Sequence, residues 1–317
     1  MGDKKHSRIF ITGANGFVGA NILRHVIKQH YDVHILHQRE SLGWRIEELR
    51  NHITIHKGSI TNFSALKKII TTIQPDYIIH LATFGAYAHQ QDLDKIVSVN
   101  INGIKNLLEA SKEVHYKAFI NTGSSSEYGF KSDPMKETDF CDPVSFYAVT
   151  KLGQTNLCKV FAKTYNKPII TLRLFSVYGQ FEEPTRFIPT IINSLIHKVP
   201  IQITPGNQRR DFIHVDDVVT AFMKALRKAE EYKGEIFNVG SGKEMTNDEI
   251  VKTLFSVTKK ETEIDKGGYP KRMWDTAHWV ADISKSQNLL KWKPTFQIEE
   301  GLKNTYSWIQ KNIQYYQ

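Results

Sequence analysis

The chain has 317 residues, enough to bury a sizeable core in one large or two unequal domains. Hydrophobic residues make up 40% and charged residues 24%, as in soluble globular proteins, and no apolar run approaches the ~20 residues of a membrane span. The formal net charge of +9 raises nucleic acid as a partner. The basic residues are dispersed, however, and no aromatic-interleaved basic motif occurs, so neither a nucleic-acid nor a membrane partner is expected. The start, Met1 to His6, runs straight into an apolar stretch and leaves no room for a signal peptide. Cys141 and Cys158 have no metal-ligand spacing, no metal site is expected, and both thiols suit a reducing cytoplasm.

Ile9 to Ile11 reads as a buried strand, followed by Gly13, Gly16 and Gly19 and by an amphipathic run from Phe17 to Val26. A strand, a glycine turn and a helix start are the parts of a dinucleotide-binding βα unit. Gly13 suits the tight turn, Gly16 the close approach of a pyrophosphate, and Gly19 close helix–strand packing. The helix N-terminus faces the phosphate charge. Strands are predicted at Val33–Leu36, Ile53–His56, Tyr77–Leu81, Lys117–Asn121 and Ile169–Leu174. Helices are predicted at Phe63–Ile73, capped by Asn62 or Thr61, and at Val97–Ser111 and Phe146–Tyr165. This alternation implies an α/β fold, a Rossmann-type doubly wound parallel sheet.

After about Gly179 the alternation breaks. Helical stretches at Phe187–His197, Val215–Ala229, Asn247–Thr258 and Ile298–Ile313 are separated by prolines and short strands. The expected organisation is a dinucleotide-binding domain over 1–178 and a smaller mixed α/β C-terminal substrate lobe over 179–317, interleaved with the last sheet strands.

Tyr147 and Lys151 lie one helical turn apart, on one helix face. A lysine charge stabilises phenolate, so such a tyrosine can exchange a proton with a substrate oxygen while hydride moves at carbon. The strand before this helix ends in Asn121-Thr-Gly-Ser-Ser-Ser-Glu-Tyr-Gly129, and strand C-terminal ends are where ligands sit in parallel sheets. Ser124 there can donate to the same oxygen. Taken singly, the pair is an ordinary helix face and the serines an ordinary turn.

Glycine loop, serine cluster and YxxxK in this order resemble the extended short-chain dehydrogenase/reductase family, in its nucleotide-sugar-modifying (NAD-dependent epimerase/dehydratase) branch. The resemblance covers nearly the whole chain. It includes His80-Leu-Ala82, Val99-Asn-Ile-Asn-Gly103, Arg173-Leu-Phe-Ser-Val-Tyr-Gly179, Gln208-Arg-Arg-Asp-Phe-Ile-His-Val-Asp-Asp217 and the tail with Arg272, Asp282 and Leu290-Lys-Trp-Lys-Pro294. It implies a catalytic trio of Ser124, Tyr147 and Lys151. It also implies cofactor contacts at Gly13, Asn15, Gly16, Phe17, Val18, Gly19, Arg39, Ser59, Ile60, Leu81, Ala82, Thr83 and Asn100. Ser125, Ser126, Ser176, Arg186, Arg210 and Arg272 fall on the substrate side, with Arg210 and Arg272 suited to clamp a diphosphate bidentately.

Three departures from the family pattern shape the expected activity. The end of the second strand reads His37-Gln38-Arg39-Glu40-Ser41 where an NAD site wants an acid, which favours NADP(H), with NAD(H) as the alternative. Ser125 and Ser126 stand where 4,6-dehydratases carry an acid pair, and Glu127 lies one residue off. Ser59 and Ser176 replace an adenine-binding Asp and a sugar-binding Asn. The resemblance therefore implies an NADPH-dependent reductase of an NDP-4-keto-6-deoxyhexose, most like synthases of CDP-linked 3,6-dideoxyhexoses. An NDP-sugar 4-epimerase is the alternative; a dehydratase or a non-catalytic cofactor-binding regulator stands behind it. Family members are often homodimers through the two helices at Val97–Ser111 and Phe146–Tyr165.

Overall fold

A computed structural model describes residues 6–203, 208–266 and 278–316. β1 (Arg8–Thr12) buries Ile9, Phe10 and Ile11 completely, as a strand covered on both faces must. α1 (Phe17–Lys28), β2 (Asp32–His37) and β3 (Thr54–Lys57) follow. α2 (Phe63–Ile73) is capped by Asn62, whose side chain accepts the Ala65 N–H at 3.1 Å. After β4 (Tyr77–His80) comes α3 (Leu93–Val97); the stretch expected as one helix, Val97–Ser111, starts at its last residue, passes through a π-helical turn over Ser98–Asn102 and ends as α4 (Gly103–Ser111). Hydrophobic spacing cannot register that turn, because one widened turn leaves the apolar stripe nearly continuous.

β5 (Ala118–Ser124) runs three residues beyond Asn121, into the serine cluster. α5 (Phe146–Thr164) is capped by Ser145, and β6 (Ile169–Leu174) is buried throughout. The second half holds β7 (Ser176–Tyr178), α6 (Phe187–His197), β8 (Ile201–Ile203), β9 (Arg209–Arg210) and β10 (Phe212–His214). α7 (Val215–Lys228), β11 (Ile236–Val239), β12 (Met245–Thr246), α8 (Asn247–Thr258), β13 (Ile264–Lys266) and α9 (Ile298–Lys311) complete it.

The main sheet has seven strands in the order β11-β6-β5-β4-β1-β2-β3, and it is parallel, with Ile9 opposite both Val33 and Tyr77. The order reverses between β1 and β4. This is the switch point at which doubly wound sheets open a crevice for dinucleotides.

The chain folds into two compact units, and each draws on both halves of the sequence. The first comprises Met1–Gly129, Cys141–Arg173 and Val219–Phe237. Its core packs Phe10, Ile78 and Phe119 of the sheet against Leu66, Leu107 and Phe161 of the helices. No described helix is long and apolar enough to cross a membrane.

The second unit comprises Phe130–Phe140, Leu174–Val218 and Asn238–Gln317. Its loops are tied down by two buried carboxylates. Asp217, in the first turn of α7, accepts the backbone N–H groups of Thr295 at 2.9 Å and Phe296 at 3.0 Å and the Thr295 hydroxyl at 2.8 Å. Asp211 accepts from Ser241 N and Oγ, Gly242 N and Ala281 N at 2.6 to 3.1 Å.

Replacing Asp217 with Ala orphans two backbone donors and should cost about 3 kcal/mol, whereas Asn keeps one acceptor and should cost less. Urea denaturation of both variants checks the order. Equal midpoints for Asp217→Ala and wild type would sink this account of the unit.

Candidate active site

The glycine turn closes the C-terminal ends of β1 and β4 onto each other. Gly13 has φ +73°, and a Cβ there would stand 2.6 Å from Leu81 C and Ala82 N. At Gly19 a Cβ would meet Gly13 O at 2.2 Å, so neither position accepts a side chain. Leu81 N donates to Thr12 O at 3.0 Å, and Ala82 N to Thr12 Oγ1 at 3.4 Å. Asn15 and Gly16 are exposed, with Phe17 and Val18 half-buried beside them. Gly16 is the N-cap of α1 and offers no side-chain cap, so the first-turn N–H groups lack the usual internal acceptor. An uncapped helix start behind a glycine turn fits an anionic pyrophosphate.

His80, the last residue of β4, is buried, with Nδ1 2.7 Å from Thr12 Oγ1. Burial, with the Lys151 charge, pulls its pKa down to about 3, so the imidazole is neutral. The neighbouring hydroxyl of Thr122 on β5 is buried without a hydrogen-bond partner among the described residues. Sequence reasoning passed over Thr122. Its signal was its place at the C-terminal end of a central strand.

At the far end of β2, Gln38 Nε2 donates to Ser59 Oγ at 3.0 Å, and that oxygen also meets Thr61 Oγ1 at 2.7 Å. Arg39 is exposed, while Glu40 is ion-paired with Lys57. Ile60 places its side chain in the core under Gly103, and its carbonyl accepts from Asn106 Nδ2 at 3.1 Å.

Asn100 is fully buried in the π turn, with every hydrogen-bonding position of its side-chain amide used. Oδ1 accepts from Thr83 Oγ1 at 3.1 Å and Phe84 N at 2.9 Å. Nδ2 donates to Phe84 O at 2.8 Å and Thr150 Oγ1 at 2.9 Å. Through these four bonds Asn100 locks the loop after β4 to α5. Gly85 in that loop lies beside Tyr147: a Cβ on it would stand 3.5 Å from Tyr147 Cβ.

Ser124 ends β5 and caps the 3₁₀ turn Ser125–Tyr128 in a reciprocal capping box with Glu127. Its hydroxyl lies 2.8 Å from Ser126 Oγ, and its N–H donates to Glu127 Oε1 at 2.8 Å. Glu127 is fully buried and also accepts from Thr155 Oγ1 at 3.1 Å and Arg173 Nε at 2.8 Å. Lys151 on α5 is 2% exposed and donates to Thr122 O and, at 3.0 Å, to Gln154 Oε1. Desolvation pulls its pKa down to about 8, against the opposing pull of Glu127. Tyr147, a turn earlier on α5, is partly exposed. The first unit therefore gathers Ser124, Tyr147 and Lys151 around the ends of β4 and β5. Cys158, buried behind them, has its thiol pKa pushed up by burial.

In the second unit, Ser176 lies on β7, opposite Phe212 of β10. Arg186 begins α6 and is half-exposed, 3.9 Å from Glu182 Oε1. Arg210 packs its guanidinium 5.4 Å from the Trp279 ring centroid. Arg272 lies outside the described residues. The carboxylates Asp211 and Asp217 were legible only as part of a motif read for its arginine. Among the described residues no cluster of three His, Cys, Asp or Glu side chains could hold a metal.

A glycine turn at the switch point of a parallel sheet, with a tyrosine and a buried lysine beside it, defines a Rossmann-type nucleotide-dependent enzyme. Residues 9–240 match the NAD dependent epimerase/dehydratase family, and the chain belongs to that family. It is 32% identical to the UDP-glucuronate 4-epimerase of Thermodesulfobacterium geofontis, over 96% of each chain. The UDP-glucuronic acid 4-epimerase of Bacillus cereus, solved with UDP-glucuronic acid and NAD, superimposes with a TM-score of 0.85 at 29% identity, covering 96% of this chain and 99% of that one. The UDP-glucose 4-epimerase of Thermotoga maritima, solved with UDP-glucose, gives 0.87 at 26% identity, with the same coverage.

Glu127→Gln would leave the Arg173 guanidinium buried without its counter-charge and should destabilise the protein by about 3 kcal/mol. Thermal unfolding of that variant checks the value; an unchanged transition would refute the structural role given to the pair.

Proposed function

We propose that the chain is a nucleotide-sugar 4-epimerase acting on a UDP-hexose or UDP-hexuronate, with the cofactor held in the first unit and the nucleotide sugar recognised by the second. One observation carries the choice within the family. Glu127, the nearest carboxylate to the serine cluster, is buried against Arg173, and Ser125 and Ser126 fill the places where dehydratases carry their acid pair. Water elimination therefore has no acid to use there. The relatives described above favour epimerase over the 4-keto reductase expected from the sequence. NAD in the Bacillus cereus structure favours NAD over the NADP(H) suggested by Arg39.

When bound, the nicotinamide supplies a reversible hydride acceptor at C4. The chain supplies the proton chemistry. Tyr147 takes the 4-hydroxyl proton as that carbon is oxidised and returns it on reduction. Lys151, charged and one turn away, stabilises the phenolate that does this. Ser124 hydrogen-bonds the same oxygen. Inversion requires the oxidised sugar to present its other face, so the anchoring falls to the diphosphate, with Arg186, Arg210 and Arg272 as the proposed clamp. Gly13, Gly16 and the uncapped start of α1 would hold the cofactor pyrophosphate.

Phe146, Val149, Leu157 and Val160 leave an apolar stripe exposed on α5, which supports a homodimer through this helix. Val160→Glu should shift the protein to monomer in sedimentation. A wild type that sediments as a monomer would remove the proposal.

The purified enzyme should carry bound NAD⁺ and interconvert UDP-glucuronate with UDP-galacturonate, or UDP-glucose with UDP-galactose, without net cofactor consumption. Tyr147→Phe should lose at least ~10²-fold in kcat while still binding UDP-sugar. Stoichiometric NADPH oxidation by a 4-keto-6-deoxy sugar, with no epimerisation, would instead establish a reductase.

A further inference from the structure

Lys151 sits almost wholly out of water, and a buried ammonium keeps its proton only where fixed acceptors replace the lost hydration. Two acceptors are present among the described residues, Thr122 O and Gln154 Oε1. The second belongs to a chain. Gln154, fully buried, also donates through Nε2 to Asn121 Oδ1, and Asn121 Nδ2 donates to Thr171 Oγ1 at 3.1 Å. The direction of this chain is dictated from one end. An ammonium only donates, so Gln154 must turn its oxygen to Lys151. Its amide nitrogen then faces Asn121, which must present oxygen in turn, leaving the Asn121 amide nitrogen for Thr171. Each dipole points its negative end toward the lysine.

We propose that Gln154 is a positioning residue, which with Asn121 and Thr171 keeps Lys151 protonated and aimed at the end of β5. A neutral amine could still donate to both oxygens, but those bonds would lose their charge-assisted strength and the aligned dipoles would no longer have a cation to stabilise, so the arrangement penalises loss of the proton.

The other groups facing Lys151 bound the effect. Glu127, in the turn after β5, adds negative charge and favours the ammonium. His80 on β4 is neutral at any pH where the enzyme is studied. Cys158, two turns along α5, stays a thiol because burial raises its pKa. Tyr147 on α5 is the group served. Because desolvation pulls the Lys151 pKa down to about 8, small changes in its acceptors act inside the working pH range. The inference rests on the reading of Lys151 as the charge that serves Tyr147.

The test uses the full-length holoenzyme labelled with ¹³C at lysine Cε, the Lys151 resonance being assigned by its loss in Lys151→Met. Wild-type Lys151 should titrate well below the surface lysines. In Gln154→Met, which keeps the chain length but removes the acceptor, the midpoint should fall by about one pH unit. The alkaline limb of kcat should fall with it, at unchanged KM. In Gln154→Glu the midpoint should rise above wild type. A Gln154→Met midpoint equal to wild type, or a Gln154→Glu midpoint at or below it, overturns the proposal. Should Gln154→Met not fold, the Gln154→Glu titration decides alone. The titration reads no turnover, so an enzyme that epimerises nothing would overturn the proposed function and leave this test standing.

Discussion

A lysine placed under the edge of a parallel sheet imposes most of the polar order in the first unit. Lys151 needs acceptors and counter-charge that water would otherwise provide. The strand end at Thr122, the amide of Gln154 and the carboxylate of Glu127 supply them. Glu127 in turn needs Arg173, and Arg173 stacks 4.5 Å over the Tyr128 ring. The same carboxylate closes the capping box that shapes the serine turn. Charge requirements thus pass from the helix to the strand end to the loop that presents Ser124. The reactive groups and the scaffold are parts of one hydrogen-bonded system.

Much of this was legible in the sequence, because the carriers of the fold are short-range. An apolar run and three glycines at fixed spacing are enough to place β1, the turn and α1, and the limits of α2, α6 and α8 coincide with the predicted ones. The Tyr147–Lys151 pair is legible because both lie on one helix. Other roles depend on partners distant in sequence. The scaffold role of Asn100 shows only through its partners at Thr83, Phe84 and Thr150, which use its whole side-chain amide. Glu127 reads as a candidate acid until Arg173, 46 positions later, is found on it. Ile60 turns inward because Gly103, at the start of α4, leaves room for it. The cofactor preference is of the same kind: Arg39, exposed at the end of β2, points by residue type to NADP(H), whereas the Bacillus cereus epimerase was solved with NAD.

The second unit shows a related contrast. Its motif around Arg210 draws attention to a guanidinium, yet Asp211 and Asp217 do the architectural work there. Each gathers backbone donors from segments far along the chain. A carboxylate that accepts several N–H groups fixes loop geometry at sites where no regular strand or helix could. The substrate-recognition surface proposed for this unit therefore rests on side-chain-to-backbone bonds rather than on a broad sheet.

The interleaving of the two units carries a consequence for biosynthesis. β6 pairs with β11, whose residues come more than sixty positions later, after α7. While the chain is being made, β6, buried throughout in the finished fold, is an open sheet edge, unpaired on one side, until Ile236–Val239 have left the ribosome. Most of the chain made in that interval, Leu174–Val218, belongs to the other compact unit. Synthesis thus exposes an adhesive strand for the time needed to translate a neighbour that cannot close it. The nascent protein is most vulnerable to aggregation in that window, and there a chaperone has the most to shield.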